Sequence, residues 1–276
     1  MKNYLSALKY CYENGDFVKS RAGNVKKAFG YQMRFDLEKG FPAVTTKKLA
    51  WKVMVSELLW FLEGSNDERR LAEILYEDDR ENLEDKKTIW TQNAKADYWK
   101  NKSNFDGDVG RIYGVQWRDF NGVDQIKNLI KGLKESPHSR RHILTAWNPA
   151  ELDEMSLPPC HAFSQFYLSN NKLSCQLYQR SCDMFLGVPF NIASYSILIH
   201  IIAKECGYEA GEFIHSLGDF HIYEEHFEQV KIQLTRDPKK LPVLKFNQKK
   251  IHEYKTSDFE LINYEHHPKI VAPMNV

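Results

Sequence analysis

With 276 residues, 42% hydrophobic and 13% aromatic, the chain is long and apolar enough to bury a large core, most simply as one domain over 1–276. Its 38 basic and 37 acidic residues nearly cancel, which excludes a global field drawing it to nucleic acid or an anionic membrane and leaves any anion binding local. Five cysteines, at 11, 160, 175, 182 and 206, form no Cys-x-x-Cys pair, a pattern of reduced cytosolic thiols rather than a disulfide frame.

The opening Met1-Lys2-Asn3-Tyr4-Leu5 lacks the apolar run of a signal peptide, and no later stretch reaches membrane-span length; a soluble, cytoplasmic protein is expected. Phe29 to Leu37 alternates as a strand. Trp51 to Leu62 repeats Val55, Leu58, Leu59 and Leu62 at helical spacing, with Glu57 inside the apolar run and Gly64 as a stop. Asp67 to Lys87 is charge-rich and is expected to be an exposed, mostly helical excursion, poor in chemistry. Ile126 to Leu133 predicts a short helix, broken by Pro137-His138-Ser139 ahead of a buried strand, His142 to Ala146. His161 to Leu168 and Leu173 to Arg180 alternate about Ser169-Asn170-Asn171, the clearest hairpin signal in the chain. Their polar members Gln165, Gln176 and Gln179 imply a lined site or a sheet-to-sheet interface. Asn191 to Cys206 is apolar almost all round and predicts a central helix; another runs from about Tyr223 to Thr235, before Pro238. The fold class expected is α+β, one domain with a mixed, largely antiparallel sheet and helices covering part of it.

Among residues able to do chemistry, Cys160 follows Leu157-Pro158-Pro159 and precedes His161, so two prolines fix the backbone that presents its thiol at a strand end. A free cysteine is also often a small buried hydrophobe, and position alone leaves both readings open. Arg180 and Ser181 close the hairpin's second strand, where a guanidinium favours the attacking thiolate or holds a phosphate. Arg21, Arg140, Arg141 and Arg180 are candidates for a phosphate cage, each otherwise a surface charge. Glu57 on an apolar helix face is either a buried acid with a raised pKa, suited to proton exchange, or a helix-edge glutamate paired with a lysine. Asp183, Asn191, Asp219, His221 and Tyr223 sit beside apolar runs as site residues or as caps and turns; Asn191, after Pro189-Phe190, has an N-cap as its rival role. No Gly-rich phosphate loop, His-x-x-x-His pair or zinc-spaced Cys/His cluster occurs, so no metal is expected.

In order along the chain, Phe41-Pro42-Ala43-Val44-Thr45-Thr46-Lys47, Glu57-Leu58-Leu59-Trp60-Phe61-Leu62, Tyr113-Gly114-Val115-Gln116-Trp117-Arg118, Ser139-Arg140-Arg141, Leu157 to Cys160, Gln176 to Asp183 and Gly187 to Tyr195 closely resemble the thymidylate synthase family. The resemblance spans almost the whole chain, sparing mainly the charged excursion and the segment from Ala94 to Asp106. It implies reductive methylation of dUMP to dTMP with methylenetetrahydrofolate as co-substrate, through attack of Cys160 on pyrimidine carbon 6. It also implies that Arg21, Arg180 and Ser181 hold the phosphate, and that Arg140 and Arg141 reach the partner's site in a homodimer packed sheet to sheet. Asn191, with Gln179, would read the uracil edge; His221 and Tyr223 the deoxyribose 3′-hydroxyl; Asp183 the pterin. Glu57, Tyr113 and His161 would organise water for proton transfer. Trp90, Leu157, Gly187, Phe190 and Val276 would line the folate pocket, with Lys47 near the glutamyl tail. No membrane or nucleic-acid partner is implied.

Three departures stand out. Ala22-Gly23-Asn24 replaces the usual Thr-Gly-Thr, Leu217 a glycine, and Arg111 a proline. They keep open a relative that quenches the exocyclic methylene with water and makes hydroxymethyl-dUMP; retained Trp90 and the Ile270–Val276 tail argue for hydride transfer by shielding that intermediate, and a silent nucleotide- or RNA-binding paralogue would be marked by loss of the thiol or an arginine, both of which are kept.

Overall fold

The chain opens with helix α1 (Lys2–Asn14), which turns Tyr4, Ala7, Leu8 and Cys11 inward, followed by strands β1 (Asp16–Ser20) and β2 (Gly23–Asp36). The computed structural model describes residues 1–20 and 23–273; Arg21, Ala22 and Val276, named above, lie outside the described residues. The strand expected from Phe29 is thus the second half of a longer one. Helix α2 (Trp51–Glu63) ends as its sequence indicates, on Gly64 in the left-handed region at φ 78°, whose N–H bonds the Phe61 carbonyl.

The charged stretch departs from expectation. Helix α3 (Glu68–Tyr76) buries Leu71, Ala72 and Leu75, and Glu68 itself is 1% exposed; it packs on α2 rather than standing off in solvent. Short helices α4 (Thr91–Ala94), α5 (Asp97–Lys100) and α6 (Tyr113–Arg118) follow. Gly114 in α6 lies so close to α2 that a Cβ would come within 2.8 Å of the Phe61 carbonyl oxygen. Helix α7 (Gln125–Glu135) is N-capped by Asp124, whose side chain accepts the Lys127 N–H. Strand β3 (Ile143–Thr145) is shorter and less buried than expected, because it is the sheet's edge: Leu144 points inward while Ile143 is largely exposed.

The hairpin is present as β4 (His161–Ser169) and β5 (Lys172–Asp183), joined through Asn170 and Asn171 at φ 49° and 61°, the double left-handed turn that asparagine tolerates. Helix α8 (Gly187–Cys206) begins before Asn191, which lies inside the helix and is not its N-cap. Strand β6 (Glu209–Tyr223) holds Asp219 and His221 in extended backbone, so these two are not caps, while Tyr223 stands at the N-cap position of the turn 224–226. Tyr223 ends that strand, and α9 (Phe227–Leu234) starts only at Phe227. A ribbon of β7 (Val243–Lys245) and β8 (Glu260–Ile262) completes the described elements.

The six-stranded sheet runs β1-β2-β6-β5-β4-β3, antiparallel throughout except for the parallel pair β5–β6, and so is mixed and largely antiparallel. One face packs on α8, whose Ile192, Ile197, Leu198, Ile199 and Ile202 are buried. The opposite face stays open within the chain. There Phe163 pairs across to Tyr178 and Gln165 to Gln176, with Tyr167 64% and, on β2, Phe29 81% exposed. The three glutamines therefore divide: Gln165 and Gln176 sit on the open face, while Gln179 is buried on the α8 side.

Among the described residues no helix is long and apolar enough to cross a membrane.

Candidate active site

Where β4 begins and β5 ends, the register brings His161 opposite Gln179, and the Arg180 N–H donates to the Cys160 carbonyl at 2.8 Å. The Arg180 guanidinium then turns back over the proline pair, donating from Nε to the Pro159 carbonyl at 2.8 Å and from a terminal nitrogen to the Pro158 carbonyl at 2.7 Å. Its plane lies over Trp147, 5.3 Å from the ring centroid. These bonds satisfy both proline carbonyls and anchor the rigid turn that presents Cys160.

Cys160 is half-buried. Burial pushes its thiol above the ordinary range, and Arg180, Tyr113 and Ser181 oppose that without overcoming it. The guanidinium favours the thiolate, as expected, but desolvation of the charged sulfur outweighs the nearby positive charge.

Tyr113, at the start of α6, accepts the Cys160 N–H on its hydroxyl at 2.7 Å. Its ring stacks on His161 at 3.9 Å, tilts against Phe61 at 4.9 Å and meets Trp90 edge-on at 6.0 Å. His161 Nδ1 bonds the Tyr195 hydroxyl at 2.9 Å, and burial drives its pKa down to about 3, so the ring is neutral near pH 7. Glu57, 7% exposed on α2, accepts the Trp90 indole N–H at 2.7 Å. Burial lifts its carboxyl to about 7, with the Trp90 bond working in the opposite direction. Of its two sequence readings the buried acid holds, because no lysine reaches it and an indole does.

A second chain of bonds lies beneath β5. Gln179 Nε2 donates to the Ser181 carbonyl at 3.0 Å and to Asn191 Oδ1 at 3.1 Å, while its Oε1 faces His215 Nε2 at 2.8 Å. Since the amide nitrogen gives both hydrogens, its oxygen accepts and His215 carries its proton on Nε2; burial keeps that ring neutral, with a pKa of about 3. This chain fixes the orientation of Asn191. Gly187, one turn earlier, faces both Asp183 and Asn191, a Cβ there meeting their side chains at 3.5 and 3.8 Å. Tyr195 and His215 carry little mark of a site role in the sequence. The signal for His215 is its inward place in the alternation Phe213, His215, Leu217; Tyr195 is concealed in a helix apolar on every side.

Asp183 takes the turn role, its Oδ1 accepting the N–H groups of Phe185 and Leu186 at 2.9 and 3.2 Å. His221 Nδ1 bonds Asp219 at 3.0 Å, Asp219 also pairs with Lys27 at 2.9 Å, and the Tyr223 ring meets His221 edge-on at 5.3 Å. Leu157 and Phe190 are half-buried beside the core. Lys47 is turned inward: 6% exposed, it donates to the Phe185 carbonyl at 2.5 Å and lies 3.5 Å over that ring, and burial lowers its pKa to about 7.

Arg140 and Arg141 are exposed and stand apart from this cluster. Gln165 donates to the Arg140 carbonyl, and its place on β4 is five residues from Cys160, about 16 Å at the rise of a strand. Of the three departures, Asn24 bonds Glu224 at 2.7 Å, Arg111 pairs with Glu151 at 2.7 Å, and Leu217 is buried in the core.

The match extends over the whole chain. The family model described as thymidylate synthase covers residues 2–276, and the thymidylate synthase of Mycoplasma pneumoniae is 45% identical over the full length of both chains. The order of motifs, the Cys160 turn with its arginine and these two matches agree: the chain belongs to the thymidylate synthase family, whose members are methyltransferases.

Proposed function

We propose that the chain catalyses reductive methylation of dUMP to dTMP, with methylenetetrahydrofolate giving both the carbon and the hydride and leaving as dihydrofolate. What carries this reading is the Cys160 turn, a thiol braced by Arg180 and Tyr113 within a full-length match to the family.

Cys160 adds through its sulfur to carbon 6, its proton passing to water as nucleotide binds, and carbon 5 becomes the nucleophile that captures the folate's methylene carbon once that carbon has parted from one of its two nitrogens as an iminium. The carbon 5 proton then leaves through water organised by Glu57, Tyr113 and His161, as the folate nitrogen departs. A carboxyl titrating near 7 suits that exchange. Hydride from the reduced folate reaches the exocyclic methylene, and expulsion of the Cys160 sulfur restores the ring. Trp90, Leu157, Gly187, Phe190 and Val276 line the folate side, shielding the methylene from water, with Asp183 at the pterin and Lys47 toward the glutamyl tail once it turns outward.

Asn191, oriented by Gln179, reads the uracil carbonyl and ring N–H. Arg21, Arg180 and Ser181 hold the phosphate, and His221 and Tyr223 the 3′-hydroxyl. The working unit is a homodimer joined at the open sheet face, with Arg140 and Arg141 completing the partner's phosphate site. Two features support this: the exposed Phe163, Tyr167 and Tyr178 and the separation of both arginines from Cys160. Five unbonded cysteines support a reducing, cytoplasmic setting.

Incubation with dUMP and methylenetetrahydrofolate, following dihydrofolate by absorbance and the nucleotide by mass, tests the proposal. Dihydrofolate and dTMP in equal amounts are expected; hydroxymethyl-dUMP with tetrahydrofolate would overturn the hydride step.

A further inference from the structure

The stretch expected to be poor in chemistry contains a buried carboxyl that accepts four hydrogen bonds outside the site. Glu68 opens α3 and is almost fully buried. Its oxygens accept from Arg69 Nε at 2.7 Å, from a terminal Arg69 nitrogen at 2.6 Å, and from the hydroxyls of Thr88 and Thr91, each at 2.6 Å. The two hydroxyls accept in turn: Thr91 Oγ1 takes the Thr88 N–H at 2.8 Å, and Thr88 Oγ1 takes the Trp90 N–H at 3.1 Å. Every donor and acceptor direction is therefore fixed from Glu68 outward. Arg69 adds two bonds of 3.0 Å to the carbonyls of Leu83 and Lys86, drawing in the segment that leads to the threonines.

The end of this chain of bonds is Trp90, gripped by its backbone and wedged against Trp60 and Phe61, with its indole N–H on Glu57. A buried ion pair is a poor device for stability alone, since well-packed apolar side chains of similar volume do as well or better. It is a good device for holding one geometry.

We propose that Glu68, Thr88 and Thr91 form a positioning unit that keeps the Trp90 indole N–H on the Glu57 carboxyl and thereby governs proton exchange at that carboxyl. The proposal rests on the reading of Glu57 as the proton-exchanging group. An N–H donor favours the ionised carboxylate, so loosening Trp90 leaves a buried carboxyl held more firmly in its neutral form. Of the other groups around α2, Tyr113 on α6 faces Glu57, with His161 of β4 stacked on that ring and Tyr195 of α8 bonded to the histidine. From α3 the Glu68–Arg69 pair is linked to it through Thr88, Thr91 and Trp90. The turns 251–253 and 256–258 also pack on α2; there Trp51 donates to the Phe259 carbonyl, Asp258 is paired with Lys249, and Glu77 with Lys52.

Infrared titration of the protonated-carboxyl stretch in the intact enzyme is the test, the Glu57 band being assigned by its loss in Glu57→Gln. Thr91→Val and Glu68→Gln are expected to move its midpoint upward by roughly half to one pH unit, and Thr91→Ser, which keeps the hydroxyl, to leave it where it is. A purely structural role would lower melting temperature without moving the midpoint. Thr91→Val keeps the test open if Glu68→Gln does not fold. A midpoint unmoved in Thr91→Val overturns the proposal alone; no band lost in Glu57→Gln removes the reading of Glu57 and the proposal with it.

Discussion

The Cys160 N–H donates to the Tyr113 hydroxyl at 2.7 Å, a bond that fixes the backbone under the sulfur. Replacing Tyr113 by Phe keeps the ring stack on His161 but strands that N–H. The expected cost is about 1–3 kcal/mol, the usual price of an unpaired buried donor, seen as a lower denaturant midpoint. A fall in kcat of roughly a hundredfold is expected alongside it, as the turn loses its register with the pocket. Unchanged kcat in steady-state assays would show that Arg180 alone holds the turn.

Cys160→Ser removes the group that adds to the pyrimidine in the proposed mechanism. Turnover is expected to fall by at least about a thousandfold, with dUMP affinity kept within a few-fold by equilibrium dialysis. Retained turnover would end the covalent mechanism.

Burial raises the folded-state pKa of Glu57 from 4.5 to about 7, so the native state favours its neutral form. Stability from this group is complete below pH 4.5 and is lost as pH rises through 7, by about 3 kcal/mol in all. Glu57→Gln, which stays neutral and still offers an oxygen to Trp90, is expected to match the wild type in urea midpoint near pH 4.5 and to exceed it increasingly up to pH 7, then level off. The same variant is expected to lose most activity. A stability difference independent of pH would contradict the raised pKa.

Arg140 and Arg141 precede β3, the former held by Gln165, which sits far along β4 from Cys160, and this makes subunit sharing testable by mixing. Arg140→Ala/Arg141→Ala and Cys160→Ser homodimers are each expected to be nearly inactive. Unfolded together and refolded, they should regain about a quarter of wild-type activity, since random pairing puts one intact site in half of the dimers. No recovery, with mixed dimers confirmed by mass, would place both arginines outside the partner's site.

The hairpin about Asn170-Asn171, the helix stop at Gly64 and the all-apolar α8 were legible because each is written locally, in a turn residue or a period. Strand β6 was not, since polar His215, Ser216 and Asp219 fall on both its faces and blur the alternation. Glu68 read as surface charge because its partners Thr88 and Thr91 stand 20 and 23 residues away, and charge pattern carries no record of such closure. The inward turn of Lys47 left no local mark for the same reason: its ammonium rests on Phe185, 138 residues on. The site was legible in its residue types, by motif order, while the protonation states of Cys160 and Glu57 depend on burial that only the folded packing sets.

Because burial keeps the Cys160 thiol protonated, the resting enzyme offers little thiolate to peroxides, alkylating agents or disulfides, all of which react with the anion. In the proposed mechanism reactivity is thus reserved for the moment a nucleotide fills the pocket, and the nucleophile is chemically quiet between substrates.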